Sequence, residues 1–256
     1  MNNLFITHDF TLFPSRQYLL EYYKTIGPEN HTILAFLHRS YQEIFKKLTK
    51  ADVLEFGGGP TIYQLISLAR YPVVIIFSEY GDANLNEIDL WLKRKKSAFS
   101  WRPFIRQVLE LEGVKPDISH IQKRTDEIRK KVIRLIHCDA KSVSPLKKIG
   151  TRKFDIVSTH FVAESITDTT RSWANVLRSI IKHVDKDGFL VMSAITGARY
   201  YTVGNKNFPA VPVSLENITA ALQAEGFTIL NTDYIDAEKP EESGYNGIAL
   251  ILAKRT

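Results

Sequence analysis

The sequence predicts an α/β fold with a Rossmann-like, seven-stranded, mostly parallel sheet whose last strand is antiparallel. Apolar, strand-like runs alternate with helical segments along most of the chain, a pattern typical of a parallel sheet covered on both faces. The first run ends in a glycine turn at 57–59, as in nucleotide-binding α/β folds. With 256 residues, of which 44% are hydrophobic, the chain suffices for one core, and we predict a single domain over 1–256.

The segment 1–48 precedes the first strand and is predicted to form an N-terminal helical cap. Residues 16–25 and 30–48 have helical character, and the second stretch carries apolar residues at approximately helical spacing. The rest of the chain, 49–256, is the predicted Rossmann-like core.

Seven strands and four helices are predicted within this core. The strands are expected at 51–56, 72–78, 132–137, 154–159, 188–194, 227–233 and 247–253. The helices are expected at 61–70, 83–95, 169–183 and 214–225. Because the stretch 234–246 has the character of a loop, the last two strands are predicted to pair antiparallel. The stretch 97–131 is only partly periodic and receives no assignment.

Charge and composition restrict the class of partner. The basic runs behind the net charge of +6 are interrupted by acids and lack interleaved aromatic residues, so no nucleic-acid partner is predicted. No apolar stretch has the length of a membrane span, and the start lacks a charged segment followed by an apolar one, which predicts a cytoplasmic protein without a membrane partner. The single cysteine, Cys138, excludes an internal disulfide and a thiolate metal cluster, and no metal is predicted.

The junction after the first predicted strand is the most informative motif. Gly57, Gly58 and Gly59 precede Pro60, where the next helix is predicted to begin. Glycines let a ligand approach the backbone, and the N–H groups of a helix start favour an anion. The NAD fingerprint would need a further glycine at Ile62, so a plain NAD site is disfavoured. Glu79 ends the next strand, where it can accept both ribose hydroxyls of an adenosine. A structural turn without a ligand is the alternative.

A series of short motifs then extends along nearly the whole chain. It comprises Arg16, Tyr18, Tyr22 and Tyr23; Gly59-Pro60-Thr61-Ile62-Tyr63-Gln64-Leu65; Glu79-Tyr80 with Asp82 and Asn84; Trp91-Leu92-Lys93; Phe99-Ser100-Trp101 with Pro103; Leu111-Glu112-Gly113; Cys138-Asp139; Ser158-Thr159; and Tyr200-Tyr201 with Gly204 and Phe208. The series resembles, in the same order, the nicotinamide, phenylethanolamine and thioether N- and S-methyltransferase family. This family belongs to the class I S-adenosylmethionine-dependent methyltransferases, whose fold agrees with the predicted one.

The resemblance implies S-adenosylmethionine as cofactor and assigns residues to it. The three glycines would lie under the ribose and methionine, Glu79 would hold the ribose hydroxyls, and Asp139 would accept the adenine amino group. The other residues assigned to the cofactor are Thr61 and Tyr63 at the methionine carboxylate, Tyr80 and Asn84 at the adenosine, Ala140 at the adenine ring, Thr159 at the methionine end, and Tyr18 and Tyr23 over the sulfonium. Aromatic faces suit a sulfonium through cation–π attraction. Without a ligand, Asp139 would be a turn cap, Thr159 a strand residue, and the two cap tyrosines packing residues.

The resemblance also assigns residues to the methyl acceptor, namely Tyr18, Glu164, Ala194, Ala198 and Tyr201. His160 is added because it follows Thr159 at the carboxyl end of a strand, where site residues cluster. Tyr18 would position the reacting groups. His160 could line the acceptor pocket, act as a base or simply pack. Glu164, one residue displaced from an acidic position of the family, could hold a cationic acceptor or begin a helix. Ala194 stands where relatives often carry a substrate-binding carboxylate, which predicts poor turnover of nicotinamide and phenylethanolamine.

The predicted function is therefore S-adenosylmethionine-dependent N-methylation of a small amine or nitrogen heterocycle by a monomeric enzyme. The acceptor must reach the sulfonium as a neutral nucleophile. Two alternatives stay open, namely S-methylation of a small thiol and a non-catalytic cofactor-binding scaffold. The cap tyrosines and the complete glycine motif favour catalysis.

Overall fold

The fold was analysed in a computed structural model, which describes residues 5–238 and 240–256 apart from the side chain of Glu242. The strands are β1 (Ala51–Phe56), β2 (Val73–Glu79), β3 (Val132–His137), β4 (Phe154–His160), β5 (Val184–Thr196), β6 (Tyr200–Val203), β7 (Lys206–Pro209), β8 (Phe227–Asp236) and β9 (Gly247–Arg255). The α-helices are α1 (Ser15–Tyr22), α2 (Pro28–Phe45), α3 (Tyr63–Ile66), α4 (Asp82–Leu92), α5 (Arg102–Leu111), α6 (Ile118–Lys131), α7 (Thr170–Ile181), α8 (Leu215–Ala224) and α9 (Pro240–Ser243). Short 3-10 turns cover Phe10–Leu12 and Leu68–Arg70.

The main sheet has seven strands in the order β3-β2-β1-β4-β5-β9-β8. Strands β1 to β5 are mutually parallel, and β9 is antiparallel to both of its neighbours, β5 and β8. This arrangement confirms the predicted sheet and its reversed last strand. The order reverses between β1 and β4, the place where open α/β sheets bind ligands.

Helices cover both faces of this sheet because consecutive strand residues point to opposite faces. Val53 of β1 belongs to one buried cluster, together with residues of α2, α5 and α6. The next residue, Leu54, belongs to a second buried cluster with residues of α7 and α8. Helix α2 thus packs directly on the sheet, whereas α1 lies over its edge and contacts α4. Within the described residues, no helix is both long and apolar enough to cross a bilayer.

The helix predicted from Pro60 is shorter and starts later than predicted. Helix α3 begins at Tyr63 and ends at Ile66, and its N-cap, Ile62, supplies no side-chain hydrogen bond. The Thr61 hydroxyl donates to the Gly58 carbonyl at 2.9 Å, and this bond holds the intervening residues in a turn. The side chain therefore competes with helix formation at this point.

Two regions acquire structure that the sequence pattern had not indicated. The unassigned stretch 97–131 contains α5 and α6, and Asp117 caps α6 by accepting the His120 N–H at 3.0 Å. Residues 200–209 form an antiparallel hairpin of β6 and β7 in which Val203 pairs with Lys206. Gly204, with φ of 60°, occupies the resulting two-residue turn.

Candidate active site

A cavity of about 680 Å³ opens where the parallel strands end. It is lined by the glycine turn after β1, Glu79 at the end of β2 and Asp139 after β3, together with Tyr18 and Tyr23 of the N-terminal segment. Of the residues predicted from the sequence, the cavity is lined by Tyr18, Tyr23, Gly57, Gly58, Gly59, Thr61, Tyr63, Glu79, Tyr80, Asn84, Asp139, Ala140, His160 and Tyr201.

The three glycines have different physical reasons for being glycine. A Cβ on Gly58 would lie 2.3 Å from the buried Phe77 ring, and a Cβ on Gly57 would lie 2.6 Å from Val162. Both positions are therefore dictated by packing. Gly59 has φ of 61° and no atom within 4 Å of its Cβ position, so this residue leaves open space for a ligand.

Glu79 is held in place by the turn that it faces. Its Oε2 accepts the Gly59 N–H at 2.9 Å, and its Oε1 accepts the Gly81 N–H and the Asn84 side-chain amide, each at 2.9 Å. The side chain is only 7% exposed. Such bonds compensate a buried carboxylate and fix its direction, which suits recognition of a diol.

Three tyrosines cluster beside the glycine turn. The hydroxyls of Tyr18 and Tyr23 are 3.3 Å apart, and the rings of Tyr23 and Tyr63 stack with centroids separated by 5.4 Å. Burial raises the pKa of all three hydroxyls well above the usual value, so they stay protonated and neutral. The cluster presents aromatic faces without a negative charge, which suits a sulfonium cation through cation–π attraction.

Asp139 has the turn-capping role, and its predicted role at the adenine stays a prediction. It lines the cavity, and its Oδ1 caps the following turn by accepting the Lys141 N–H at 3.0 Å. Buried Ala140 and the half-exposed ring of Tyr80 lie at the same end of the cavity. Thr61 also lines the cavity, although its hydroxyl already donates to the Gly58 carbonyl.

His160 lines the cavity with both ring nitrogens hydrogen-bonded, which favours the packing alternative over the predicted role as a base. Its Nε2 lies 3.0 Å from the Ser158 hydroxyl and its Nδ1 lies 2.8 Å from the Ser193 hydroxyl. Burial lowers the pKa of His160 to about 3. Both nitrogens are occupied, and the neutral ring packs at 6.0 Å from the Tyr63 ring. Its role is to connect β4 with β5.

Four of the predicted site residues do not line the cavity. Thr159 and Ala194 are on the strand face opposite His160 and Ser193, because side chains alternate along β4 and β5. Ile195, rather than Ala194, lines the cavity from β5. Ala198 follows the turn at Gly197 and is buried in the protein.

Glu164, the fourth of these residues, serves the backbone. It is fully buried, and its Oε1 accepts the Ile195 N–H at 3.0 Å. Burial raises the pKa of Glu164 to about 7. The neighbouring Ser165, rather than Glu164, lines the cavity. The predicted contact of Glu164 with an acceptor is therefore not supported, because its carboxylate does not line the cavity.

The sequence pattern missed the wall formed by α2 and the segment before β9. Glu29, Asn30 and Ile33 of α2 line the cavity together with Glu241 and Tyr245. The Tyr245 hydroxyl donates to Glu29 Oε1 at 2.6 Å and joins the two elements. A signal for this wall was present, because an antiparallel strand starts at the edge where its parallel neighbours end.

Comparison with known proteins identifies the family. A model of the NNMT/PNMT/TEMT family matches residues 4–256. The chain belongs to this family. It is 30% identical over 222 residues to human nicotinamide N-methyltransferase, covering 85% of this chain and 83% of that protein. It is 29% identical over 248 residues to mouse indolethylamine N-methyltransferase, covering 95% of this chain and 93% of that protein.

Solved structures support the fold of this family member. The magnesium protoporphyrin IX methyltransferase of Synechocystis with bound S-adenosylmethionine superposes with a TM-score of 0.54 at 13% identity, covering 96% of this chain and 93% of that one. A glycopeptide N-methyltransferase with the same cofactor gives a TM-score of 0.53 at 10% identity, covering 87% and 94%. The protein is an S-adenosylmethionine-dependent methyltransferase, which confirms the prediction of an enzyme over that of a scaffold.

The residues of the cavity fit this cofactor. Open space at Gly59 admits a ligand to the backbone, and Glu79 is placed to receive ribose hydroxyls. Asp139 and Ala140 offer a carboxylate and an apolar surface that would suit an adenine, while Tyr18 and Tyr23 offer neutral aromatic faces that would suit a sulfonium.

Proposed function

We propose that the enzyme methylates the nitrogen of a small aromatic amine or nitrogen heterocycle. The observation that carries this proposal is the negative character of the cavity end next to β9. Glu29 and Glu241 line that end, among the aromatic rings of Tyr22, Tyr201 and Tyr245. An aromatic pocket with carboxylates favours an acceptor that has an aromatic body and a basic nitrogen.

The sheet order separates this acceptor end from the adenine end. Asp139 follows β3 and Tyr245 precedes β9, five strand spacings apart, or roughly 24 Å. Of the described lining residues, only His8 and Lys141 can be positively charged, and both also line a neighbouring cavity beside Ala140. The positive side chains are thus located at the adenine end, where Asp139 also lies, whereas Glu29 and Glu241 line the acceptor end, away from these cations. The names of the human and mouse relatives, which specify nicotinamide and indolethylamine N-methylation, support the same class of acceptor.

The protein's part in the reaction is to position the acceptor and exclude water. Bound S-adenosylmethionine supplies a methyl group that is already activated by its sulfonium. Tyr18, Tyr23 and Tyr63 cover that position and shield it from solvent. Their hydroxyls stay protonated and both His160 nitrogens are bonded, so none of these side chains removes a proton. A protonated amine must therefore lose its proton before transfer.

The proposal includes a single methyltransferase domain that acts as a cytoplasmic monomer on small molecules and not on nucleic acid. Ion pairs within the basic runs support the absence of a nucleic-acid substrate. Arg94 contacts Asp126 at 2.7 Å, and Arg124 contacts Glu112 at 2.6 Å. Arg129 stacks 4.5 Å above the Trp91 ring. These three cations are engaged within the protein, which leaves them less available to a nucleic-acid phosphate.

Methyl-transfer assays with Glu29→Gln test the acceptor class. We expect the parent to methylate 2-phenylethylamine, nicotinamide or quinoline in preference to an aryl thiol. For the cationic amine, Glu29→Gln should raise KM about tenfold, because a charge-assisted hydrogen bond contributes roughly 1.5–3 kcal/mol. The matched control is Glu43→Gln on the same helix, where Glu43 forms an exposed ion pair with Lys46.

Preferred methylation of the aryl thiol by the parent would contradict N-methylation. An unchanged KM in Glu29→Gln would remove Glu29 from acceptor recognition. Because Ala194 faces away from the cavity, its lack of a carboxylate gives no reason to expect rejection of nicotinamide or phenylethanolamine.

A further inference from the structure

A buried chain of hydrogen bonds links the N-terminal segment to Glu79. The Ser15 hydroxyl, in the first turn of α1, donates to Asn84 Oδ1 at 2.6 Å. Asn84 Nδ2 then donates to Glu79 Oε1 at 2.9 Å. All three side chains are at most 7% exposed, so water cannot readily replace these bonds.

Ser15 fixes the direction of the Asn84 amide. An amide can be turned so that its oxygen and nitrogen exchange places, and its surroundings decide between the two orientations. Glu79 accepts hydrogen bonds only, so it requires the Asn84 nitrogen on its side. The Ser15 hydroxyl can donate to the Asn84 oxygen on the other side, which satisfies this orientation at both ends.

The Asn84 amide in turn helps to fix the Glu79 carboxylate. Glu79 Oε1 receives the Asn84 amide and the Gly81 N–H, and Oε2 receives the Gly59 N–H. If the Asn84 bond is lost, one of the two contacts that hold Oε1 disappears and the carboxylate can rotate. A carboxylate that is free to rotate must be ordered again when it binds a diol, which lowers affinity.

We propose that Ser15 is a positioning residue for the ribose of the cofactor. Docking of α1 orients Asn84, Asn84 orients Glu79, and the cap and the ribose site form as one unit. This inference rests on the proposed role of Glu79 in binding the ribose hydroxyls. Sequence alone gave Ser15 no role.

The neighbouring residue supplies a matched control. Arg16 also ties α1 to α4, through an ion pair with Glu87 at 2.7 Å. This pair reaches neither Asn84 nor Glu79. Arg16→Met therefore loosens the same two helices without disturbing the hydrogen-bond chain.

Calorimetry with S-adenosylhomocysteine, and with its analogue lacking both ribose hydroxyls, tests the inference. Ser15→Ala should weaken binding of S-adenosylhomocysteine about fivefold, the effect of one neutral hydrogen bond. The analogue should bind the parent more weakly and be unaffected by Ser15→Ala. Ser15→Thr should restore most of the affinity, and Arg16→Met should affect both ligands by the same factor. In a Glu79→Ala background, Ser15→Ala should cause no further loss.

Several outcomes would overturn the inference, and they differ from a failure of the proposed function. If Ser15→Ala weakens the binding of both ligands equally, Ser15 only holds the cap on the protein. The same conclusion follows if the losses of affinity from Ser15→Ala and Glu79→Ala are fully additive. If the parent binds the two ligands equally, Glu79 does not hold the ribose. If the parent binds neither ligand, the assignment of the cofactor site itself fails. Thermal melting of each variant shows whether a loss of affinity comes from unfolding.

Discussion

Replacing Glu79 with alanine is expected to reduce the affinity for S-adenosylmethionine and S-adenosylhomocysteine at least tenfold, and up to about a hundredfold. The substitution removes the acceptor proposed for the ribose hydroxyls, a loss of roughly 1.5–3 kcal/mol. It also leaves the N–H groups of Gly59 and Gly81 and the Asn84 amide without their carboxylate partner. Titration calorimetry measures the loss directly.

Asp82→Ala is the matched control for this experiment. Asp82 is an exposed carboxylate in the first turn of α4, three residues from Glu79, and it does not line the cavity. Its removal should leave the affinity for both ligands within about twofold, as expected for a surface substitution. Equal binding by the parent and by Glu79→Ala would exclude Glu79 from the cofactor site.

The second large effect concerns stability, and it comes from Glu55 beneath the glycine turn. This side chain is fully buried, and its Oε1 accepts the Gln64 amide at 3.2 Å. Burial raises the pKa of Glu55 to about 8 in the folded protein. The unfolded chain ionises near its ordinary pKa of about 4.3. Between these values the folded state holds a proton that the unfolded state has lost.

The free energy of unfolding should therefore decrease as the pH rises. The contribution of Glu55 to the free energy of unfolding is fully present below about pH 4.3. Between that pH and about pH 8, this contribution decreases by up to about 1.4 kcal/mol for each pH unit. Glu55→Gln keeps the neutral form at all pH values, so it should remove this slope. Urea unfolding at pH 5, 6, 7 and 8 measures it, with Glu43→Gln as an exposed control. Parallel pH curves for the parent and Glu55→Gln would show that Glu55 is ionised in the folded protein.

The fold was predictable because β1, β2, β4, β5 and β9 are largely buried apolar runs, whereas β3 and β8 are more exposed. Each of the seven predicted strands has a counterpart in the sheet, although β5 and β8 extend beyond 188–194 and 227–233, and the loop before β9 correctly indicated a reversal. The hairpin of β6 and β7 was missed because its strands are short, although Gly204 and Asn205 form a two-residue turn of a common kind. Helix α3 was predicted to begin too early because the Thr61 hydroxyl, bonded to the Gly58 carbonyl, holds the preceding residues in a turn.

The cofactor end of the cavity was also largely predictable, whereas the acceptor end was not. The glycine turn, Glu79 and Asp139 follow consecutive parallel strands, so local sequence fixes their place at one edge. Glu29 and Tyr245 are 216 positions apart and meet only through tertiary packing. Alternation along β5 decides that Ile195, and not Ala194, faces the cavity, whereas the family pattern had assigned Ala194 to the acceptor.

A crystal structure with S-adenosylhomocysteine and 2-phenylethylamine tests the assignment of the cavity most directly. We predict ribose hydroxyls within hydrogen-bonding distance of Glu79, adenine beside Asp139 and Ala140, and sulfur against the rings of Tyr18 and Tyr23. The amine should occupy the end bounded by Glu29 and Tyr245, with its nitrogen directed at the sulfur. A cofactor bound outside this cavity, or an amine located beside Lys141 at the opposite end, would contradict the proposed site.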